Sequence, residues 1–201
     1  MRVLIGCEFS GMVREQFRAL GHDAFSCDLL PAADGSPHHY RGDVLAVALH
    51  AGPWDLGIFH PPCTYLTLAG VRWLYKGGRG QVKDPARWEA LAEAARFFRA
   101  ILALPIARKA VENPIPHRYA LELIGRRYSQ IVQPFHFGHR ETKATCLWLD
   151  GLPALVPTRR LSGPMVPRVH HEPPGPDRWR RRSILPVGMC RAFARQWAGP
   201  A

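Results

Sequence analysis

"RVLIGCEFSGMVREQFRALGHDAFSCDLL", Arg2 to Leu30, is the stretch that decides the fold of this chain. Val3-Leu4-Ile5-Gly6-Cys7 is a short, continuously apolar run, the pattern of a strand buried on both faces of a parallel sheet. Glu8-Phe9-Ser10-Gly11 reads as a tight turn. From Met12 to Leu20 the apolar residues Val13, Phe17 and Leu20 share one helical face, and Gly21 ends the helix. His22 to Leu30 returns as a second strand. Strand, turn, helix and strand in this order open a doubly wound α/β fold.

The alternation continues outward. Asp55–Phe59 is a predicted strand, and Pro85–Leu104 a long amphipathic helix with proline in its first turn. Lys109–Val111 is a short strand and Ala120–Gly125 a short helix; Gln130–Phe135 and Thr145–Leu149 are further strands. The expected fold class is therefore α/β, a mostly parallel sheet with flanking helices. From residue 150 to 182 the composition changes. Seven prolines fall between Pro153 and Pro176, and seven arginines between Arg159 and Arg182, which marks an extended basic segment too small to be a domain. Ile184–Trp197 closes the chain with a helix. The expected organisation is a core over 1–149, the basic segment over 150–182, and a terminal helix over 183–201 that returns to the core.

Lys and Arg number 27 against 16 Asp and Glu, a net charge of +11 that favours a polyanionic partner. No apolar run reaches the roughly 18 residues of a membrane span, so nucleic acid is expected before a membrane. The five cysteines (Cys7, Cys27, Cys63, Cys146, Cys190) contain no C-x-x-C pair, which argues against a zinc ribbon or a dithiol redox site. The start of the chain lacks a secretory signal, and reduced thiols in a cytoplasmic setting are expected. His38-His39 and His170-His171 have no Cys or carboxylate at ligand spacing, so no metal is expected. The H-x-E and P-C-x-x-C signature of a zinc deaminase is missing.

Ligands of parallel α/β sheets bind outside the carboxyl ends of the strands. Four stretches fall there: Glu8-Phe9-Ser10-Gly11, Asp28, His60-Pro61-Pro62-Cys63 and Glu112-Asn113-Pro114. The first turn has no G-x-G-x-x-G and hence no phosphate cradle, so a nucleoside-like cofactor without a phosphate chain fits better. Asp28 stands where a ribose hydroxyl pair is held, and Asp43, in "GDVL", near an adenine amine. Pro61-Pro62 removes two backbone donors and stiffens the loop that aims Cys63, as a nucleophile requires. The other four cysteines read as structural. Glu112, locked by Pro114, is a partly desolvated carboxyl expected to stay protonated and to donate to a ring nitrogen. Cysteine, glutamate and a nucleoside cofactor together suit addition to carbon 6 of a pyrimidine.

The ordered set "EFSG", "CD", "GDVL", "PPCT", "VENP" and "HRETKATCLWL" resembles the DNA cytosine-5 methyltransferases, in particular the short phage and prophage members, from Arg2 to about Trp197. The resemblance implies a Rossmann-like fold that binds S-adenosylmethionine and acts on double-stranded DNA with base flipping. It implies that Glu8, Phe9, Ser10, Gly11, Asp28, Asp43, His60 and Pro61 line the cofactor pocket. Cys63 and Glu112 would be catalytic, with Arg140 and Lys143 steadying the attacked base. Pro62, Thr64, Asn113, Arg79, Arg159, Arg160, Arg181 and Arg182 would meet the DNA. "RRRSILPVGMCRAFARQW" would supply the family's final helix, and Tyr65–Asp84 a lid over the flipped base.

The chain departs from the family pattern at Thr64, where glutamine is usual, at Pro114, where valine is common, and in the small size of its 150–182 segment. A short recognition sequence or weak specificity is expected. The same chemistry on free nucleotides, RNA or another pyrimidine, transfer of a larger group such as carboxymethyl, and a catalytically silent DNA-binding relative remain open. So do the settings of a restriction partner, phage self-protection and orphan modification.

Overall fold

The computed structural model describes residues 1–77 and 81–198. The expected Arg79 contact lies outside the described residues, as does the His170 side chain. In chain order the elements are β1 (Arg2–Gly6), α1 (Met12–Arg18), β2 (Asp23–Asp28), β3 (His39–Arg41), α2 (Val44–His50) and β4 (Leu56–Phe59). A 3-10 helix, Leu68–Leu74, leads into the hairpin β5 (Tyr75–Lys76) and β6 (Val82–Lys83). Then come α3 (Pro85–Leu102), β7 (Lys109–Pro114), α4 (Arg118–Ile124), β8 (Gln130–Val132), a 3-10 turn at Pro134–His136 and β9 (Thr145–Asp150). Three helices end the chain: α5 (Arg168–His171), α6 (Arg178–Ser183) and α7 (Val187–Trp197).

The main sheet has the order β3-β2-β1-β4-β7-β9-β8. β3, β2, β1, β4 and β7 run parallel, and β9 runs antiparallel to both β7 and β8. Successive side chains of β1 enter opposite faces of the sheet, which is why its sequence is apolar throughout. Val3 and Ile5 join Val13, Phe17, Leu56, Ile58, Phe193 and Trp197 on one face. Leu4 joins Val44, Phe59, Leu91, Phe98, Val111 and Trp148 on the other. Each core is closed by helices, α1 and α7 on the first side and α2, α3 and α4 on the second. No helix among the described residues is long and apolar enough to cross a membrane.

The chain order reverses at β1, whose neighbours are β2 and β4, so the carboxyl ends of these strands open a crevice. The expected strand at 130–135 is shorter, because Pro134 removes a ladder donor and starts the 3-10 turn. In "GDVL", Asp43 caps α2, its side chain accepting from the Leu45 amide at 2.8 Å. The 150–182 segment carries two short helices and leans on the core through isolated bridges, Phe137 to Arg159 and Glu141 to Val166.

Candidate active site

The turn after β1 is built by one carboxyl group. Glu8 is buried, and its side chain accepts from the amides of Val13 at 2.7 Å and Arg14 at 3.3 Å, the unpaired donors of the α1 N-terminus. The Ser10 hydroxyl adds a third bond to Glu8 at 3.3 Å. Burial pushes the Glu8 carboxyl above its ordinary range, against the pull of His60 and the two amides. Gly11 caps α1 at φ 72°, and a Cβ there would lie 2.3 Å from the Arg14 guanidinium. Cys7, at φ 57°, is one of the few kinds of strained position a non-glycine residue occupies at a functional edge. It is half-buried, not fully buried as expected, and burial together with Asp28, Cys27 and Asp43 drives its thiol far up.

These observations test the cofactor. A phosphate chain would need the α1 amides, and Glu8 already occupies them. A nucleoside carrying a sulfonium needs none of them. Asp28 at the end of β2 uses Oδ1 for the Leu30 amide at 3.0 Å, which leaves Oδ2 for a ribose hydroxyl. Phe9 lies beneath α6, with the Trp179 ring centroid 6.0 Å away and the Arg180 guanidinium 5.2 Å above its ring. The residue set fits S-adenosylmethionine.

The second half of the crevice lies between β4 and β7. Gly57, Ile58 and Phe59 pair with Lys109, Ala110 and Val111, so the register carries His60 to Glu112. The two meet, with His60 Nδ1 3.3 Å from Glu112 Oε2. Beyond His60, the Cys63 carbonyl accepts from the amides of Leu66 at 3.1 Å and Thr67 at 3.2 Å, turning the chain tightly after the two prolines. Pro61 is buried, while Pro62 and Thr64 are exposed. The Cys63 thiol is pushed up by burial and by the charge of Glu112, and Lys143 and Arg182 partly offset this. Glu112 is pushed up by burial, but His60 and Lys143 outweigh it and its carboxyl ends below its ordinary value. This corrects the expectation of a protonated Glu112: without substrate the group is a carboxylate.

Lys143 Nζ donates to the Arg182 carbonyl at 3.1 Å, bringing α6 to the same pocket. Several buried polar atoms there have no partner: His60 Nε2, Glu112 Oε1 and Arg182 Nε. Unpaired buried polar atoms are costly, so their concentration marks where a polar ligand belongs.

The structure brings Cys63, His60, Glu112, Lys143 and Arg182 together. It does not bring Arg140 to them. Arg140 Nη1 donates to the Ser162 carbonyl at 3.3 Å, and the residue lines a separate hollow of about 220 Å³ with Glu141, Val166 and Arg168. Lys143 and Arg182 are the cations that act on Cys63. Arg159 and Arg160 are exposed on the segment after β9, and Arg181 is paired with Glu172. Sequence reasoning did not find the His60–Glu112 contact or the reach of Arg182 into the pocket. His39 is occupied structurally, its ring nitrogens bonding Ser26 Oγ at 2.8 Å and the Leu30 carbonyl at 2.9 Å.

The described residues of the Tyr65–Asp84 region carry a groove of their own. A cavity of about 610 Å³ is lined by Arg72, Trp73, Tyr75, Lys76, Asp84 and Arg87. Cations sit over aromatic faces along it: Arg72 over Trp73 at 4.6 Å and Arg87 over Tyr65 at 5.5 Å. Trp73 is half exposed, and such interleaving of charge and ring suits nucleic acid.

The class is set by the sheet and its crevice: a Rossmann-like α/β fold with a ligand site at the strand ends. No family model matches the sequence, and no curated protein matches it. Among solved structures, similarity is found to a protein described as a DNA modification methyltransferase encoded within an E. coli prophage, at 14% identity and a TM-score of 0.50, covering 82% of this chain and 53% of that one. The Entamoeba histolytica methyltransferase EhMeth is similar over 80% of this chain and 57% of its own, at 11% identity and a TM-score of 0.49. The chain thus spans little more than half the length of these structures. At such identity the prophage protein's likeness establishes the fold.

Proposed function

We propose that this chain is an S-adenosylmethionine-dependent methyltransferase that modifies carbon 5 of cytosine in DNA. The observation that carries the reading is one pocket in which Cys63 faces the charges of Glu112, Lys143 and Arg182, beside a cofactor site suited to a nucleoside without phosphates. The description of the prophage protein as a DNA modification methyltransferase agrees with it.

The residues divide the work. Asp28 would hold the ribose, and the Glu8–Gly11 turn and Phe9 would wall the rest of the cofactor. Asp43, spent in part on capping α2, would meet the adenine from its exposed side. S-adenosylmethionine, when bound, supplies the electrophilic one-carbon group that carbon 5 takes. The Cys63 thiolate forms a bond to carbon 6 of a flipped cytosine, while ring nitrogen 3 takes up a proton from solvent and the resulting N–H is held by the Glu112 carboxylate. Electron density moves to carbon 5, which becomes the nucleophile. After transfer, a base removes the carbon 5 proton, the electrons of that bond restore the ring double bond, Cys63 leaves as thiolate, and nitrogen 3 gives its proton back to solvent. Lys143 and Arg182 stabilise the thiolate at each end of this cycle. Arg72, Trp73 and Arg87, with Arg159, Arg160 and Arg181, would grip the flanking phosphates and bases.

The test is mass spectrometry of nucleosides from DNA of cells expressing the protein, beside Cys63→Ser. A 5-methyl-2′-deoxycytidine mass that vanishes in Cys63→Ser supports the reading. A heavier cytosine adduct would replace methyl by a larger group such as carboxymethyl. Unmodified cytosine from folded protein would sink the DNA reaction.

A further inference from the structure

His60 stands in the pocket with a defined role left open by the reaction just described. Its ring is buried beside Glu112, with the two side chains 13% and 9% exposed. Its backbone is held by the His60 amide donating to the Gly6 carbonyl at 2.9 Å, and the two prolines that follow remove slack. A carboxylate only accepts hydrogen bonds, so the contact at 3.3 Å makes Nδ1 the donor. With the ring taken as neutral, Nε2 is a lone-pair acceptor. Nε2 and Glu112 Oε1 are both buried and both without a partner.

Two rigid acceptors beside each other define the edge they can accept. Cytosine protonated at nitrogen 3, as in the reaction above, presents two donors side by side, the N3–H for Glu112 Oε1 and the exocyclic amine for His60 Nε2. Uracil and thymine present a carbonyl oxygen in the place of that amine. Against such an oxygen, the lone pair of Nε2 would face another lone pair and stay unpaired in a buried site. A site built to bond a substrate N–H strongly rejects the analogue that lacks it.

We propose that His60 Nε2 accepts a hydrogen bond from the exocyclic amine of the target base and thereby selects cytosine over uracil and thymine. The proposal rests on the cytosine-5 reading above. Glu112 is in this account both the partner of nitrogen 3, through Oε1, and the group that fixes the imidazole tautomer, through Oε2.

The experiment uses a pool of duplexes of degenerate sequence, each carrying one 5-fluorinated pyrimidine opposite guanine. One pool holds 5-fluoro-2′-deoxycytidine and the other 5-fluoro-2′-deoxyuridine. Fluorine blocks the final proton removal, so the Cys63 adduct accumulates and can be counted on a denaturing gel in the presence of S-adenosylmethionine. The full chain is expected to trap the cytidine pool in preference to the uridine pool. His60→Leu should reduce that preference by about ten- to hundredfold, the worth of one buried hydrogen bond to a polar substrate group. His60→Gln, which retains an acceptor, should recover part of it. An equal fall on both pools in His60→Leu, with folding verified, would overturn the proposal and leave His60 as support for Glu112. An unchanged preference would overturn it as well. Trapping on neither pool by the unaltered chain would overturn the cytosine-5 reaction itself, and the assignment of His60 with it.

Discussion

Lys143 Nζ and the Arg182 carbonyl are joined by a hydrogen bond of 3.1 Å, which ties the approach to β9 to the last residues of α6. Both cations favour the Cys63 thiolate, and Glu112 opposes it. The balance of these charges sets the fraction of thiolate.

The sign of each change follows. Removing the Glu112 charge makes the thiolate easier to form, so Glu112→Gln should lower the pH at which Cys63 becomes reactive. Removing a cation makes it harder, so Lys143→Met should raise that pH. In the unaltered chain the midpoint lies above that of an ordinary thiol, because burial and Glu112 outweigh the two cations. Alkylation of Cys63 by iodoacetamide across pH, followed by peptide mass spectrometry, reads all three. Equal shifts in the same direction for the two variants would contradict this electrostatic picture.

Glu8 is expected to leave a mark on stability. Its folded carboxyl lies above the ordinary value of 4.5, chiefly through burial. Its contribution is thus present below pH 4.5 and declines as pH rises through the folded value. Glu8→Gln, which cannot ionise, should flatten that decline in urea unfolding followed across pH. Glu8→Ala leaves the Val13 and Arg14 amides unpaired and should cost about 1–3 kcal/mol.

The groove of the Tyr65–Asp84 region makes a prediction about salt. If Arg72 meets a phosphate, Arg72→Ala weakens DNA binding and reduces the slope of log K against log salt by about 1. Trp73→Ala should cost about 1–3 kcal/mol of binding if a base stacks on its half-exposed ring. Fluorescence anisotropy titrations of labelled DNA at several salt concentrations measure both. An unaltered slope for Arg72→Ala would remove this face from the DNA interface.

The terminal helix should matter more for folding than any other late element. Trp197 is fully buried, stacks on Phe193 with centroids 4.7 Å apart, and donates its ring N–H to the Pro153 carbonyl at 3.0 Å. Trp197→Ala is expected to cost about 3–5 kcal/mol, read as a lower urea midpoint. A loss under about 1 kcal/mol would mean that α7 does not close this face of the core.

The strand–turn–helix–strand opening, the long α3 and the terminal α7 were legible in the sequence, because each is encoded by apolar periodicity within a few residues. The sequence also placed Cys63 beyond a strand end, since proline after an apolar run is a local signal. Glu112, however, expected to follow a strand ending at Val111, lies inside β7, because pairing with β9 extends that strand to Pro114. The sequence did not reveal β3 and α2: His39–Arg41 is too short to show a pattern, and "VLAVALH" is as apolar as a strand. The antiparallel course of β9 was equally hidden, because an apolar run carries no mark of its direction. Only the tertiary structure decided that His60 meets Glu112, 52 residues away, and that Lys143 meets Arg182, 39 residues away. Those contacts depend on register and packing between distant elements. So does the charge state of Glu112, which its own burial would have left protonated and which His60 and Lys143 hold ionised.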